Sequence, residues 1–467
     1  MRLLSRLLSL FDLRKAKFAV LAGLVGGLLL ATIFVDNQNQ SSEMEFRNLA
    51  ARFTSLIPRA LAEGRDESAI PRPTEAVAEE EVAEEEPGPI NPRDFLDASI
   101  SRITEALDKK KPNAPVVLDS GEQIQFSIIP SLQDAVERQY KSYQPLEAGF
   151  VAMDPRTGEV LAIAGWKDGQ LAPHRALEAD GPAASVFKVV TAAALVETQN
   201  VRPRKQVCYH GGRSGIAARL LKPNPKKDRN CVSVSEAMGK STNVVFARLA
   251  YNKLDRNVLR KYGEKFGFNR VIPFEWPIGM SKMDVPKDRV EFARMAAGFY
   301  HAEMSPMHGA LLAAAVANKG MMMTPKAVKR VTDPEGTVIY DLTPETFQQV
   351  ISPETADKLT DMMHTTTTIG TASKYFRKRP PALKNVQIAG KTGSLSRKWG
   401  KSRKYYSWFV GFAPADNPQI AFASLVVNPP KWKVKGTPIA KKALHSYFTT
   451  LAKNKKKGKE LIKTAKK

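Results

Sequence analysis

Cysteine is scarce in this chain. Cys208 and Cys231 are the only two among 467 residues. That is too few for a disulfide scaffold, and their spacing matches no zinc pattern. Histidine is sparse as well, at six, and His301, Glu303 and His308 lack the H-E-x-x-H spacing of zinc hydrolases. No metal and no cofactor are expected. Acidic residues are outnumbered, 47 against 71 Lys and Arg, for a formal charge of +24. Such a balance calls for an anionic partner. No nucleic-acid motif accompanies it, so nucleic acid is not expected. There is no internal repeat.

Long apolar runs are equally rare, with one exception. Phe18 to Val35 is uncharged and falls just within the roughly 17–25 residues that span a bilayer. Arg2, Arg6, Arg14, Lys15 and Lys17 precede it, and Asp36, Glu43 and Glu45 follow. The positive-inside rule then leaves the N-terminus in the cytoplasm and the rest outside the inner membrane. No small-x-small cleavage site follows closely, so an uncleaved anchor is expected over a signal peptide. Residues 36–123 combine prolines with an acidic run over 75–86, the composition of a partly disordered stalk. Lys453 to Lys467 holds eight lysines and one glutamate, a solvated end. The expected organisation is a tail over 1–17, an anchor over 18–35, a stalk over 36–123, a globular domain over 124–450 and a basic tail over 451–467. Outside the cytoplasm Cys208 and Cys231 can persist as a disulfide. A bridge and two buried thiols both stay open, because sequence does not fix the Cα separation that a bridge needs.

Within the globular region, Leu132 to Tyr143 has helical spacing. Gly149 to Asp154 and Val160 to Trp166 read as strands joined by the turn Asp154-Pro-Arg-Thr-Gly158. Helical runs follow, and strand-like runs return at Val386 to Ala389, Trp408 to Phe412 and Ile420 to Val427. Strands at both ends with helices between them predict an α+β fold, a sheet covered by helices.

Three short motifs carry the chemistry. Ser185-Val-Phe-Lys188 opens an apolar helical run, which puts Ser185 and Lys188 one turn apart on one face. A serine hydroxyl becomes a useful nucleophile when a neighbouring base takes its proton. Lysine can be that base if burial or a nearby cation lowers its pKa. Ser241-Thr242-Asn243 lies in a polar break before Val244 to Ala250. Its hydroxyl can relay a proton, and its amide can both donate to and accept from a peptide. Lys391-Thr392-Gly393-Ser394 follows the strand-like Ile388-Ala389-Gly390. The glycines let a substrate backbone lie close, and the lysine and hydroxyls suit a terminal carboxylate. Each motif alone is weak, and S-x-x-K is expected about once by chance in a chain of this composition. The three in this order are a much stronger signal.

With these motifs, residues 124 to about 446 resemble the transpeptidase domain of penicillin-binding proteins. The resemblance extends to Leu132-Gln133, the hairpin Met153 to Leu161, Ala315-Val-Ala-Asn318 with Gly320, Gly370-Thr371-Ala372 and Trp408-Phe-Val-Gly-Phe412. Residues 36–123 show nothing similar to a glycosyltransferase. The resemblance implies an antiparallel sheet covered by helices and a serine acyl-enzyme formed on D-Ala-D-Ala stem peptides of peptidoglycan. Ser185 would be the nucleophile and Lys188 its base. Ser241 would shuttle the proton with Lys391 nearby, Asn243 would hold the substrate amide and Thr392 the carboxylate. The N–H groups of Ser185 and Ser394, beside Gly393, would form the oxyanion hole. Of the two lysines, Lys188 is expected to be neutral and Lys391 charged. β-Lactams would bind covalently, and other cell-wall synthesis proteins would be partners. The same resemblance leaves open a D,D-carboxypeptidase, a β-lactamase or β-lactam sensor of the same fold, or a non-catalytic wall-assembly scaffold. The basic stretch Arg397 to Lys404 reads either as a feature favouring acidic peptides or as a solvated loop.

Overall fold

The computed structural model describes residues 116–118 and 120–465, with side chains up to residue 457. The expected tail 1–17, anchor 18–35 and most of the stalk 36–123 lie outside these residues. Among the described residues no helix is long and apolar enough to cross a membrane.

The centre is a six-stranded antiparallel sheet. Its strands are β1 (Glu147–Met153), β2 (Val160–Lys167), β3 (Gln170–Leu171), β4 (Ala389–Trp399), β5 (Ser402–Ala413) and β6 (Ile420–Asn428). They lie in the order β4-β5-β6-β1-β2-β3. The chain enters through β1 and β2 and returns some 220 residues later to complete the sheet. β1 is buried along its whole length, because both faces of the sheet are covered. Phe150 points into one core and Val151 into the other, as the period-2 alternation of a strand demands. The β1–β2 turn ends on Gly158 at φ +81°, a conformation that suits glycine.

One face is covered by α1 (Pro130–Tyr143) and the C-terminal helix, whose Leu132, Val136 and Tyr140 meet Ile439, Ala443 and Leu444. The other carries α2 (Lys188–Gln199), α3 (Asn243–Lys253), α4 (Arg289–Ala296), α5 (Pro306–Ala317) and α6 (Pro353–Thr368). α5 is buried at every residue, which fits its apolar sequence on all sides. The expected α+β sheet with helical cover is therefore present. The C-terminal helix, α7 (Gly436–Ala465), runs through the expected boundary at 451. Lysine is a good helix former, so the basic stretch continues the helix and is exposed over 452–457.

Three sequence expectations shift. The compact fold begins no later than Val116, ahead of 124. The strand Val116–Val117 pairs with Gln123–Phe126, and Val116 and Ile124 are buried opposite each other. The strand expected from Val386 starts at Ala389, since the Ile388 carbonyl already accepts from Thr367 Oγ1 at 2.6 Å and His364 Nδ1 at 3.2 Å. The basic stretch Arg397 to Lys404 forms the tip of the β4–β5 hairpin and the ends of its strands. Arg397 sits opposite Lys404, and Lys398 opposite Arg403, an arrangement that is unfavourable for like charges. Arg397 offsets it by pairing with Glu303 at 2.5 Å, and Lys404 by pairing with Glu147 at 2.7 Å.

Candidate active site

Ser185 lies in a 3-10 turn, Ala184–Phe187, that runs directly into α2. The turn starts at Ala184 with φ +50°, and Ser241 also has a positive φ, +52°. Non-glycine residues adopt this region at a cost, and such strain collects at functional sites. The tight turn is held from behind by Gly298 at φ +89°. A Cβ there would lie 2.3 Å from the Ala184 carbonyl oxygen and 2.8 Å from Ser185 Cα.

Lys188 is the most constrained group of the site. It is fully buried. Its Nζ is 2.7 Å from Ser185 Oγ, 2.7 Å from Asn243 Oδ1, and in contact with the Ala297 carbonyl just past the end of α4. Asn243 Nδ2 donates to the Ser214 carbonyl at 2.8 Å, which fixes the amide so that its oxygen faces the lysine. A neutral amine has two N–H donors and one lone pair. The amide oxygen and the Ala297 carbonyl can only accept, so they take both donors. The lone pair is then left for the Ser185 hydroxyl proton. Burial, and next the charge of Lys391, push the Lys188 pKa well below that of a free lysine, toward the base form this geometry needs.

Lys391 is also fully buried, on β4. Its Nζ donates to Ser241 Oγ and to the Thr392 carbonyl, both at 2.9 Å. Burial lowers its pKa to about 7. Burial therefore works against the charge expected on Lys391. Thr392 Oγ1 lies 2.6 Å from Thr371 Oγ1. Gly393 is buried beside Ala184 and Trp408, and Ser394 is exposed on the same strand.

These groups open into a cleft of about 720 Å³, lined by Ser185, Ser241, Asn243, Thr371, Thr392 and Ser394 among others. The three motifs thus converge from a helix start, a loop and an edge strand. Several participants carry no motif. The Ala297 carbonyl is a backbone group without a sequence signature. Arg213, Lys240, Lys374 and Lys435 also line the cleft, from four separate stretches of chain. Thr371 lies in the Gly370-Thr371-Ala372 stretch noted above, but sequence alone gave it no role. Cys208 and Cys231 are joined in a disulfide across the paired strands Gln206–Tyr209 and Asn230–Ser233. The loop it closes reaches the cleft at Arg213 and Ser214. His308 is buried with Nε2 on the Phe266 carbonyl, and no cluster suited to a metal occurs among the described residues.

Residues 148–445 match the penicillin binding protein transpeptidase domain, and the chain belongs to that family. Relatives include the peptidoglycan D,D-transpeptidase PbpA of Mycolicibacterium smegmatis, 26% identical over 348 residues that cover 66% of this chain and 67% of the relative. The stage V sporulation protein D of Bacillus subtilis is 25% identical over 356 residues, which is 71% of this chain and 54% of that protein. The crystal structure of PBPA from Mycobacterium tuberculosis superposes with a TM-score of 0.60 at 22% identity, covering 74% of this chain and 86% of that one. The D,D-transpeptidase domain from Eggerthella lenta gives 0.60 at 24%, covering 72% and 85%. These likenesses establish the fold.

Proposed function

We propose that the chain is a peptidoglycan D,D-transpeptidase that works through an acyl-enzyme on Ser185. The observation that carries this reading is the Lys188 amine, with both donors engaged by acceptor-only oxygens and its remaining position 2.7 Å from Ser185 Oγ. Family membership and the relatives named D,D-transpeptidase support it.

Ser185 Oγ attacks the carbonyl carbon of the penultimate D-Ala, and its proton passes to Lys188. The N–H groups of Ser185 and Ser394 stabilise the oxyanion. The C–N bond to the terminal D-Ala breaks, and its nitrogen takes a proton relayed through Ser241 and Lys391. Thr392 and Thr371 hold the departing carboxylate, while Asn243 holds an amide on the acyl side. An amine of a second stem peptide then attacks the ester, and Ser185 recovers its proton. A β-lactam follows the first half of this path and stays attached. The cleft lining among the described residues holds no carboxylate, so a deacylating glutamate of the class A β-lactamase kind has no candidate there. Residues 18–35 anchor the chain in the inner membrane, with the catalytic domain outside and other wall-synthesis proteins within its reach.

Incubation with a D-Ala-D-Ala stem peptide, with and without an acceptor amine, tests the reaction. Transpeptidation predicts one D-Ala released per cross-linked product. Release of D-Ala with hydrolysed peptide alone, acceptor present, would make the enzyme a carboxypeptidase. A reporter fused after residue 467 should be active only outside the cytoplasm, and cytoplasmic activity would refute the topology.

A further inference from the structure

The positive charge available to a substrate lies on the rim of this cleft more than on its floor. Lys188 and Lys391 are both fully buried, and burial lowers both pKa values. At neutral pH they offer a substrate less than two full charges. The walls carry Arg213, Lys240, Lys374 and Lys435 and no acid. Lys240 shares its charge with Glu236 at 3.3 Å. Among the described residues Arg213, Lys374 and Lys435 enter no ion pair, although many other surface cations do, such as Lys319, Arg330 and Lys358.

The rim cations are ordered along the cleft. Lys374 lies in the short helix Ser373–Phe376, three residues past Thr371, whose hydroxyl meets Thr392, and Lys240 adjoins Ser241. Both therefore belong to the end that holds the departing carboxylate. Lys435 precedes Gly436, whose N–H donates to Ser407 Oγ at 3.2 Å, and Ser407 is the cross-strand partner of Ser394. Arg213, which also lines the cleft, accepts at its carbonyl from the Asn243 N–H at 2.9 Å. A donor lying along β4 from Thr392 toward Ser394 thus approaches the level of Ser407 and Asn243, beside which Lys435 and Arg213 line the cleft. The Lys435 ammonium stands 4.9 Å from the Trp432 ring centroid, a contact that restrains a long side chain before any ligand arrives.

We infer that the cleft selects donors carrying a second carboxylate on the acyl side of the reacting carbonyl, met by Lys435 and Arg213. This rests on the acyl-enzyme reading above. In a stem peptide the second carboxylate is a side-chain or α-carboxylate upstream of the reacting residue, left free and not amidated. Exposed ion pairs are individually weak, so two of them give a preference of about 3- to 10-fold.

Benzylpenicillin and its α-carboxy derivative differ by one carboxylate on the acyl side, which makes them the direct probe. Their second-order acylation constants are measured on the wild type, on Lys435→Glu with Arg213→Glu, on Lys435→Gln with Arg213→Gln, and on Lys435→Arg. The wild type should take the dianion about 3- to 10-fold faster at low ionic strength, with the preference shrinking in high salt. The neutral pair should bring the ratio near one, the acidic pair should invert it, and Lys435→Arg should keep it. An equal or slower reaction of the dianion with the wild type would overturn the inference, as would a ratio that charge reversal leaves unmoved. Absence of any adduct with either penicillin would strike down the acyl-enzyme reading together with the selectivity built on it.

Discussion

Lys188 and Lys391 are both buried lysines in one pocket, yet their surroundings give them different tasks. Lys188 faces two oxygens that only accept and one hydroxyl that can donate, so it suits a neutral base. Arginine in its place stays protonated and brings a fork of donors. Lys188→Arg should reduce β-lactam acylation at least ~100-fold, the scale of a lost general base. Lys391→Arg should retain part of the rate, because a cation still supports Ser241 and Thr392. Equal rates for the two variants would contradict this division. Lys391 also carries a stability cost. Its pKa falls from 10.5 in the unfolded chain to about 7 in the fold. Between those values the unfolded state binds the extra proton, so folding stability should rise with pH across that window. Lys391→Met should therefore be more stable than the wild type by up to a few kcal/mol at pH 7, with the gap in thermal midpoint closing toward pH 10. A gap that does not depend on pH would refute it. At this scale the sequence revealed the residues that belong to contiguous motifs. It missed Ala297, which acts through its carbonyl, and the rim cations, whose positions depend on where four separated segments end.

The elements around the site were legible where a local signal existed. The β1–β2 hairpin announces itself through alternation and the Asp154-to-Gly158 turn, and the helix after Ser185 through its apolar run. The 3-10 turn under Ser185 did not, because Gly298 imposes it from a segment more than a hundred residues away. Gly298→Ala would place a methyl group against Ala184 and Ser185 in a backbone region that disfavours alanine. The expected result is a lower thermal midpoint and acylation slowed between ~10- and ~100-fold, since small displacements of a nucleophile are costly. Unchanged acylation would show that the turn does not depend on this contact. The Cys208–Cys231 bridge closes the loop that supplies the Ser214 carbonyl to Asn243. Replacing both cysteines with serine should cost about 3 kcal/mol of stability on the chain-entropy estimate. Alkylation of two thiols in the native protein without reductant would show that the bridge does not form.

For the whole molecule, a sheet with helical cover followed from the order of strand-like and helical runs, and its antiparallel arrangement from the family resemblance. The boundaries did not. Val116 belongs to the fold because a distant strand, Val328–Thr332, completes the sheet that Gln123–Phe126 joins, a pairing no local pattern announces. Likewise α7 continues past 450 because lysines propagate a helix as readily as they end a domain in solution. Family, fold and convergence of the motifs all lead to one chemical event, a covalent bond to Ser185. Intact-mass measurement after incubation with benzylpenicillin reads that event directly, on the wild type beside Ser185→Ala. The wild type should gain one whole penicillin, mapped to the peptide holding Ser185, and the folded variant should gain none. Persistent labelling of the variant, or a wild type that stays unmodified, would contradict the mechanism.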